Sequence, residues 1–226
     1  MSGINSLPPY TIYGAEAIEE GALRQMDNAL KLPITVAGSL MPDAHQGYGL
    51  PIGGVLATLN AVIPYGVGVD IGCRMCMTIY RLPVFMLDER KEDLKKILIN
   101  NTRFGKATFQ QPKDHAIFER KEFKEIPIVR EMKDHAWKQI GTSGGGNHFV
   151  ELGIVEIKTS IAEHNLIPGT YLAVLSHSGS RGLGAAIAGT YTKIAMASSP
   201  LEPEVRQLAW LDLDSEAGQE YWLAMN

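Results

Sequence analysis

The sequence predicts a mixed α/β fold of the α+β type, with mixed sheets joined by glycine-rich turns. Three observations predict it. Apolar residues recur at helical spacing early and late in the chain, short runs rich in β-branched residues lie between them, and the 23 glycines concentrate in turns. Because the 226 residues contain no internal repeat or linker, we expect residues 1–226 to form a single domain.

Composition narrows the class of protein. An apolar content of 45% with 20% charged residues is ordinary for a globular protein. The net charge of −4 does not indicate a surface that binds nucleic acid or a membrane. A local basic groove is nevertheless compatible with this net charge. The first residues lack a basic region and an apolar signal core, and no run approaches the ~20 apolar residues of a membrane span. We therefore expect a cytoplasmic protein without a membrane partner.

The first third of the chain alternates between helix and strand signals. Ile18, Ala22, Met26 and Leu30 recur at helical spacing, which predicts a helix over 14–31. Residues 41–54 contain so many glycines and prolines that we expect an irregular loop. Strands are predicted at 34–36, 55–58, 61–63 and 75–80.

The rest of the chain continues the alternation. Asp88 is in a position to cap a helix through residue 100, and Pro127 is well placed to begin another. Residues 101–126 are polar and aperiodic, which favours a mobile segment or lid. Strands are predicted at 149–157 and 170–175, and helices at 182–196 and from Ser215. The last helix ends on an apolar face, so we expect the chain to be truncated.

Four side chains on glycine-rich turns are candidate metal ligands. Asp70 and Cys73 lie three residues apart on one turn. His148 ends a second turn, Gly-Gly-Gly-Asn-His, and His177 lies in a third, Ser-His-Ser-Gly-Ser-Arg-Gly. A set of one carboxylate, one thiolate and two imidazoles suits Zn²⁺, Mn²⁺, Fe²⁺ or Co²⁺ and argues against an all-oxygen calcium site. The sequence therefore predicts one metal site at which these turns converge.

The same turns can bind an anion. Free backbone N–H groups in 144–146 and 179–182 could cradle a phosphate, and Arg181 could bind one bidentately. Simpler interpretations stay open: Cys73 and Cys76 could form a redox or zinc motif, and His148 could be a turn residue. Residues three apart on a strand face opposite ways, so Cys76 is expected to be a core residue.

The order of four motifs resembles the RtcB family of RNA ligases. The motifs are Met-Pro-Asp-Ala-His-Gln-Gly at 41–47, Gly-Val-Gly-Val-Asp-Ile-Gly-Cys at 66–73, Gly-Thr-Ser-Gly-Gly-Gly-Asn-His-Phe-Val-Glu at 141–151, and His-Ser-Gly-Ser-Arg-Gly-Leu-Gly at 177–184. Together they cover about the amino-terminal half of a family member. Residues 1–226 would then be an RtcB-like domain.

The resemblance implies a GTP-dependent ligase, active in tRNA splicing and RNA repair, that joins an RNA 3′-phosphate or 2′,3′-cyclic phosphate to a 5′-hydroxyl. It implies Mn²⁺ at two sites, with Cys73 bridging the ions. Asp70 would bind one ion, and His148 and His177 would complete parts of the coordination shells of the two Mn²⁺ ions. The implied nucleotide- or phosphate-binding residues are Asn147, His148, Phe149, Glu151 and Arg181.

The sequence departs from the family in ways that shape the prediction. The guanylylated histidine and a further histidine ligand of the family are expected beyond residue 226, so no catalytic residue is assigned here. Tyr48 also stands near a position where family ligases more often carry lysine. We therefore expect a truncated ligase that is inactive alone. Two other functions stay open: a metal-dependent phosphohydrolase or cyclic phosphodiesterase, and a non-catalytic metal- or RNA-binding fragment.

Overall fold

The structure is a computed structural model that describes residues 7–226. It confirms the predicted fold class, because strands in several sheets alternate with helices. The strands in this part of the chain are β1 (Tyr10–Ile12), β2 (Thr35–Tyr48), β3 (Leu50–Thr58), β4 (Ala61–Val62), β5 (Arg74–Tyr80), β6 (Phe149–Ile157), β7 (Gly169–Ser178) and β8 (Leu211–Asp212).

Most helices are short, and α1, α4, α8 and α9 are the longer ones. The α-helices of the described residues are α1 (Glu20–Leu30), α2 (Pro64–Val67), α3 (Met86–Glu89), α4 (Lys91–Asn101), α5 (Glu122–Glu125), α6 (Pro127–Glu131), α7 (Lys133–Gln139), α8 (Arg181–Ser198) and α9 (Glu216–Met225). None of these helices has the length and apolar character needed to cross a membrane.

The chain divides into two compact units. The first unit takes the residues up to Val69 together with Lys124–Val129 and Ala185–Asn226, and the second takes Asp70–Phe123 and Arg130–Gly184. All four candidate metal ligands belong to the second unit. Because the two units are each built from separate stretches of chain, neither corresponds to one continuous segment.

In the first unit, α1 packs its apolar stripe against the sheet β1–β2–β3. Ala22, Met26 and Leu30 on that stripe are buried against Leu40 of β2, as helical spacing predicts. The first helix is shorter than predicted, since Ala15–Ala17 form a separate 3₁₀ turn. Burial of this stripe from water contributes to the stability of the unit.

The prediction of an irregular loop at 41–54 is wrong. These residues form the end of β2 and the start of β3, which pair antiparallel with interruptions of register between Leu40 and Tyr48. The Gln25 side chain of α1 holds the hairpin by accepting from the Gly47 N–H at 2.9 Å and donating to the Gly47 carbonyl at 2.8 Å. A contact from a distant helix therefore overrides the local glycine and proline content.

The second unit contains an antiparallel sheet in the order β5–β7–β6. The predicted strand at 149–157 is confirmed as β6, whereas β7 extends to Ser178, beyond the predicted end at residue 175. His177 accordingly lies on a strand and not on the turn that follows it. The exposed Cys76 on β5 also corrects the expectation of a core cysteine.

Helix boundaries differ from the predicted ones at two places. Asp88 does not cap the helix ending near residue 100; it lies inside α3, and α4 begins at Lys91 after a break. Pro127 does begin a helix, but α6 ends at Glu131 and α7 follows it. At the last helix the prediction is confirmed, because the Ser215 hydroxyl accepts from the Gly218 N–H at 3.1 Å.

The apolar end of α9 is partly buried within the first unit. Tyr221 is fully buried, and its ring lies 5.3 Å from that of Tyr191 on α8. Trp222 and Leu223 remain about half exposed. The last helix therefore has a packing partner on one side, which its sequence alone does not reveal.

Candidate metal centre

Neighbouring strand ends bring three candidate ligands together. Cys73 directly precedes β5, and His148 directly precedes β6. His177 on β7, the central strand, stands opposite Met75 of β5 and Phe149 of β6. Because adjacent strands lie ~4.8 Å apart, the three side chains meet at one end of the sheet.

The ligand atoms of Cys73, His148 and His177 all lie within 4.8 Å of one another. The Cys73 Sγ is 2.9 Å from Nε2 of His177 and 3.5 Å from Nε2 of His148. The fourth candidate, Asp70, joins this cluster through its Oδ2, which is 2.9 Å from Nε2 of His148. The four side chains that the sequence singles out are therefore neighbours in space.

The ring of His177 is oriented by the turn that carries His148. Its Nδ1 lies 3.0 Å from the backbone carbonyl of Asn147, which can only accept a hydrogen bond. Nδ1 is therefore the protonated nitrogen of the neutral ring, and Nε2 presents its lone pair to the cluster. This is the tautomer required of a metal ligand.

The ring of His148 has a different environment. Its side chain is 8% exposed, and Nδ1 is buried without a hydrogen-bond partner among the described residues. Nε2, the nitrogen that faces Asp70 and Cys73, is the atom available to the cluster. The unpartnered Nδ1 shows that the ring is held by packing and by its Nε2 contacts.

Asp70 is ionised by its surroundings. Partial burial opposes ionisation, but hydrogen bonds from the Ser180 N–H at 2.8 Å and the Ser180 hydroxyl at 3.1 Å favour the carboxylate. With smaller effects from Cys73 and His148, these contacts hold the pKa of Asp70 below its usual range. Asp70 therefore offers a charged oxygen to the site.

The pKa of the Cys73 thiol is shifted in the opposite direction, above its usual value. Partial desolvation of the thiol, followed by the hydrogen bond and the negative charge of Asp70, raises the pKa of Cys73 above its usual value. Without a cation the sulfur is therefore protonated at neutral pH. A bound metal ion reverses this preference, because its charge favours the thiolate.

Two glycines are required by the close approach of these side chains. A Cβ at Gly179 would overlap the Asp70 carboxylate, and a Cβ at Gly144, where φ is +110°, would overlap the His148 ring. The second position is thus unsuitable for other residues on two grounds. The close approach of Asp70 and His148 to the backbone therefore requires glycine at these two positions.

The other predicted site residues surround the cluster at different distances. Phe149 packs edge-on to His177, with ring centroids 5.7 Å apart. Glu151 is exposed two residues further along β6, and Asn147 contributes its backbone carbonyl to His177. Arg181 donates from Nε to the Thr142 hydroxyl at 2.8 Å and from Nη2 to the Gly105 carbonyl. In this structure Arg181 therefore ties two loops together.

Sequence analysis missed three residues that shape the site. Ser180 holds Asp70, while Thr142 and Gly105 accept from Arg181. Ser180 and Thr142 belong to motifs quoted above, so a hydroxyl beside a candidate ligand was an available signal. Gly105 lies in the aperiodic stretch 101–126 and carried no such signal.

Comparison with known proteins identifies the family. The profile of the family described as tRNA-splicing ligase RtcB matches residues 25–127 and 106–226. The chain is 31% identical to an RNA-splicing ligase RtcB homolog of Entamoeba dispar over 90% of its length, and 30% identical to RNA-splicing ligase RtcB of Escherichia coli over 87%. It is also 32% identical to tRNA-splicing ligase RtcB of Aeropyrum pernix over 82% of its length. The chain belongs to the RtcB family.

The match covers these relatives only in part. It extends over 45% of the Entamoeba protein, 48% of the Escherichia protein and 47% of the Aeropyrum protein. The chain thus spans about half the length of the curated relatives it matches. This fraction agrees with the resemblance to the amino-terminal half of a family member.

Proposed function

We propose that these residues form the metal-binding part of an RNA ligase that uses GTP and Mn²⁺ to join an RNA 3′-phosphate or 2′,3′-cyclic phosphate to a 5′-hydroxyl. The observation that carries the proposal is the meeting of Cys73, His148 and His177 within 4.8 Å. Membership of the RtcB family supports the ligase class. RNA ends and GTP are accordingly the proposed partners.

The donor set fits a divalent transition metal. Asp70, Cys73, His148 and His177 would supply oxygen, sulfur and nitrogen ligands, and the Cys73 sulfur, which lies within 3.5 Å of both imidazoles, would be shared between the ions. When bound, Mn²⁺ would neutralise negative charge on the phosphates that react. We propose two ions, with Asp70 and His148 on one and His177 on the other.

We further propose that the surroundings of His148 bind the guanylate and the RNA phosphate. Asn147, Phe149 and Glu151 lie on or next to the first residues of β6, and Phe149 packs against His177. Arg181 would act at the phosphate side of the site. Its guanidinium already has two hydrogen bonds within the protein, so a phosphate would use the remaining donors.

The proposal assigns no nucleophile to this chain. We propose that none of residues 1–226 corresponds to the guanylylated histidine of the family, as the resemblance implies, and that these residues are inactive without it. Incubation with radiolabelled GTP and Mn²⁺ followed by denaturing electrophoresis tests this, with a full-length family ligase as the positive control. We expect label on the control alone, and a histidine-linked label on this chain would refute the assignment.

RNA binding provides the positive test. A fluorescent single-stranded RNA with a 3′-phosphate should bind in Mn²⁺ and be released by EDTA, whereas the same RNA with a 3′-hydroxyl should bind more weakly. Release of inorganic phosphate from the first RNA would instead favour a phosphohydrolase. Equal binding of both RNAs with and without metal would contradict the proposed function.

A cytoplasmic location belongs to the same proposal. Cys73 and Cys76 are both unpaired thiols, and a reducing compartment keeps thiols in that state. Thiol ligands also need to be reduced to bind a metal. Labelling of the two thiols in intact cells would test this location.

A further inference from the structure

A second turn lies directly beside the glycine turn that precedes His148. The Ser143 N–H donates to the Arg103 carbonyl at 2.9 Å, and the Gly105 N–H donates to the Gly144 carbonyl at 2.7 Å. Phe104 and Gly144 form a parallel bridge. The stretch 103–105 and the stretch 143–144 are therefore one hydrogen-bonded unit.

Arg181 fixes this unit from the other side. Its Nη2 donates to the Gly105 carbonyl, and its Nε donates to the Thr142 hydroxyl at 2.8 Å. Gly105 adopts a φ of +59°, a sharp turn that favours glycine. A Cβ added at Gly145 would lie 3.8 Å from the Gly105 Cα, so the two turns are in contact.

The glycine turn presents backbone donors that are not used inside the protein. Gly145, Gly146 and Asn147 are exposed, and their N–H groups find no acceptor among the described residues. Gly144 and Gly146 have φ values of +110° and +70° on either side of Gly145. Alternation of this kind turns successive N–H groups towards one side, which is how backbone nests bind anions.

Lys106 supplies a positive charge next to these donors. It follows Gly105 directly, is exposed, and forms no ion pair with another described residue. Gly105 contacts Gly145, so Lys106 begins from a turn that adjoins the glycine turn, and its side chain is long and flexible. The ammonium group is therefore free to reach an anion held at the glycine turn.

The charge of the second unit favours a polyanion. That unit contains 16 Lys and Arg against 13 Asp and Glu, whereas the first unit contains 5 against 12. The net charge of −4 thus hides a unit with an excess of three positive charges. The exposed donors and Lys106 both belong to this basic unit.

We infer that Lys106 and the N–H groups of Gly145, Gly146 and Asn147 form a phosphate-binding site for the backbone of a single-stranded RNA end. The inference rests on the proposed function and adds a residue, Lys106, from a part of the chain outside the four sequence motifs. Arg181 acts in it as a positioning residue that holds the Gly105 turn against the glycine turn.

Binding of a fluorescent twelve-nucleotide RNA with a 3′-phosphate, measured by anisotropy at several KCl concentrations, tests the inference. Lys106→Ala should raise the Kd about tenfold, because it removes a charge-assisted hydrogen bond worth roughly 1.5 kcal/mol. It should also lower the slope of log K against log salt by about 0.7, the value for one phosphate of a single strand. Lys106→Arg should restore both quantities.

Lys158→Ala is the matched control. Lys158 is also exposed in the second unit but follows Ile157, at the opposite end of β6 from the site. Its replacement should leave the Kd and the salt slope unchanged. The same effect from Lys106→Ala and Lys158→Ala would overturn the inference while leaving the proposed function intact. Failure of the unmodified chain to bind RNA would overturn both.

Discussion

At the scale of single residues, Cys73 connects the two histidines of the candidate site. Its Sγ is 2.9 Å from His177 and 3.5 Å from His148, whereas Cys76 is three residues along, on the opposite face of β5. Both thiols are exposed. The two cysteines therefore differ in surroundings and not in access to solvent, which makes each a control for the other.

Cys73→Ala should reduce the affinity for Mn²⁺ by at least about tenfold, because it removes a ligand shared by the two imidazole sides of the site. Cys76→Ala should retain the affinity of the unmodified chain. Elemental analysis after equilibrium dialysis against Mn²⁺ measures both variants. Unchanged metal content in Cys73→Ala would show that the ion binds elsewhere.

Glu122 provides a test of stability against pH. Arg120 donates to its carboxylate from two nitrogens, at 3.1 Å and 3.2 Å, and this contact lowers the pKa of Glu122. A depressed pKa stabilises the fold above the unfolded value of about 4.3, and this contribution disappears as the pH falls through the folded pKa. Glu122→Gln should therefore lower the urea midpoint at pH 7.

At an acidic pH below the folded pKa of Glu122, the difference between Glu122→Gln and the unmodified chain should narrow, because the carboxyl group is then protonated in both states. Glu119→Gln is the control, since Glu119 is exposed and forms no ion pair with another described residue. Urea unfolding followed by circular dichroism gives the midpoints. An equal loss at both pH values would mean that packing, and not charge, explains the effect.

Residue types alone predicted the candidate ligands, but not the neighbouring residues that hold them in place. A carboxylate, a thiol and two imidazoles on glycine turns are recognisable because few other functions need that combination. Ser180 was not recognisable, since a serine in a glycine turn is common for local reasons. Its contact with Asp70 joins positions 110 residues apart, and the sequence carries no trace of that pairing.

At the scale of elements, two of the three glycines of α8 lie in contrasting surroundings. An added Cβ at Gly189 would meet no atom within 4 Å, and the residue is exposed. An added Cβ at Gly184 would overlap the side chain of Ser180, whose hydroxyl contacts Asp70. The same substitution should therefore have opposite effects at two places on one helix.

Gly189→Ala should stabilise the protein by up to about 1 kcal/mol, because alanine restricts the unfolded chain and has the higher helix propensity. Gly184→Ala should destabilise it and also weaken Mn²⁺ binding through Ser180. Urea unfolding and metal dialysis distinguish the two variants. Stabilisation by both substitutions would show that Ser180 moves aside without consequence for Asp70.

Elements with strong periodicity were predictable, and those controlled by distant contacts were not. The β6 strand has the predicted bounds because it is rich in apolar and β-branched residues and begins directly after a glycine turn. The hairpin of β2 and β3 was missed because glycine and proline at 41–54 oppose a strand locally. Contacts from α1, including the two hydrogen bonds of Gln25, stabilise the hairpin. These contacts are visible only in the folded chain.

At the scale of the whole molecule, the fold class followed from the alternation of helix and strand signals. The distribution of charge could not be predicted from the sequence, because the chain passes repeatedly between an acidic unit and a basic one. The net charge of −4 for the whole sequence indicates neither the acidic unit nor the basic one. The candidate ligands, although far apart in the sequence, all lie in the second unit, where the sheet β5–β7–β6 brings them together.

The position of β5 at an edge of its sheet has a consequence for the behaviour of the protein in solution. Within the described residues β5 pairs only with β7, and Met75 and Met77 on it are about half exposed. Its sole charged residue is Arg74. An edge strand with a single charge, at its first residue, and exposed apolar side chains is a template for pairing with another chain.

Self-association through this edge should increase with protein concentration, and Met77→Lys should suppress it by placing a charge on the strand. Sedimentation velocity over a hundredfold range of concentration measures the effect, with Lys158→Ala as a variant remote from β5 along the chain. If Met77→Lys associates as strongly as the unmodified chain, another surface is responsible. If the substitution suppresses association, the strand that begins directly after Cys73 limits the concentration at which the candidate metal site can be studied as a monomer.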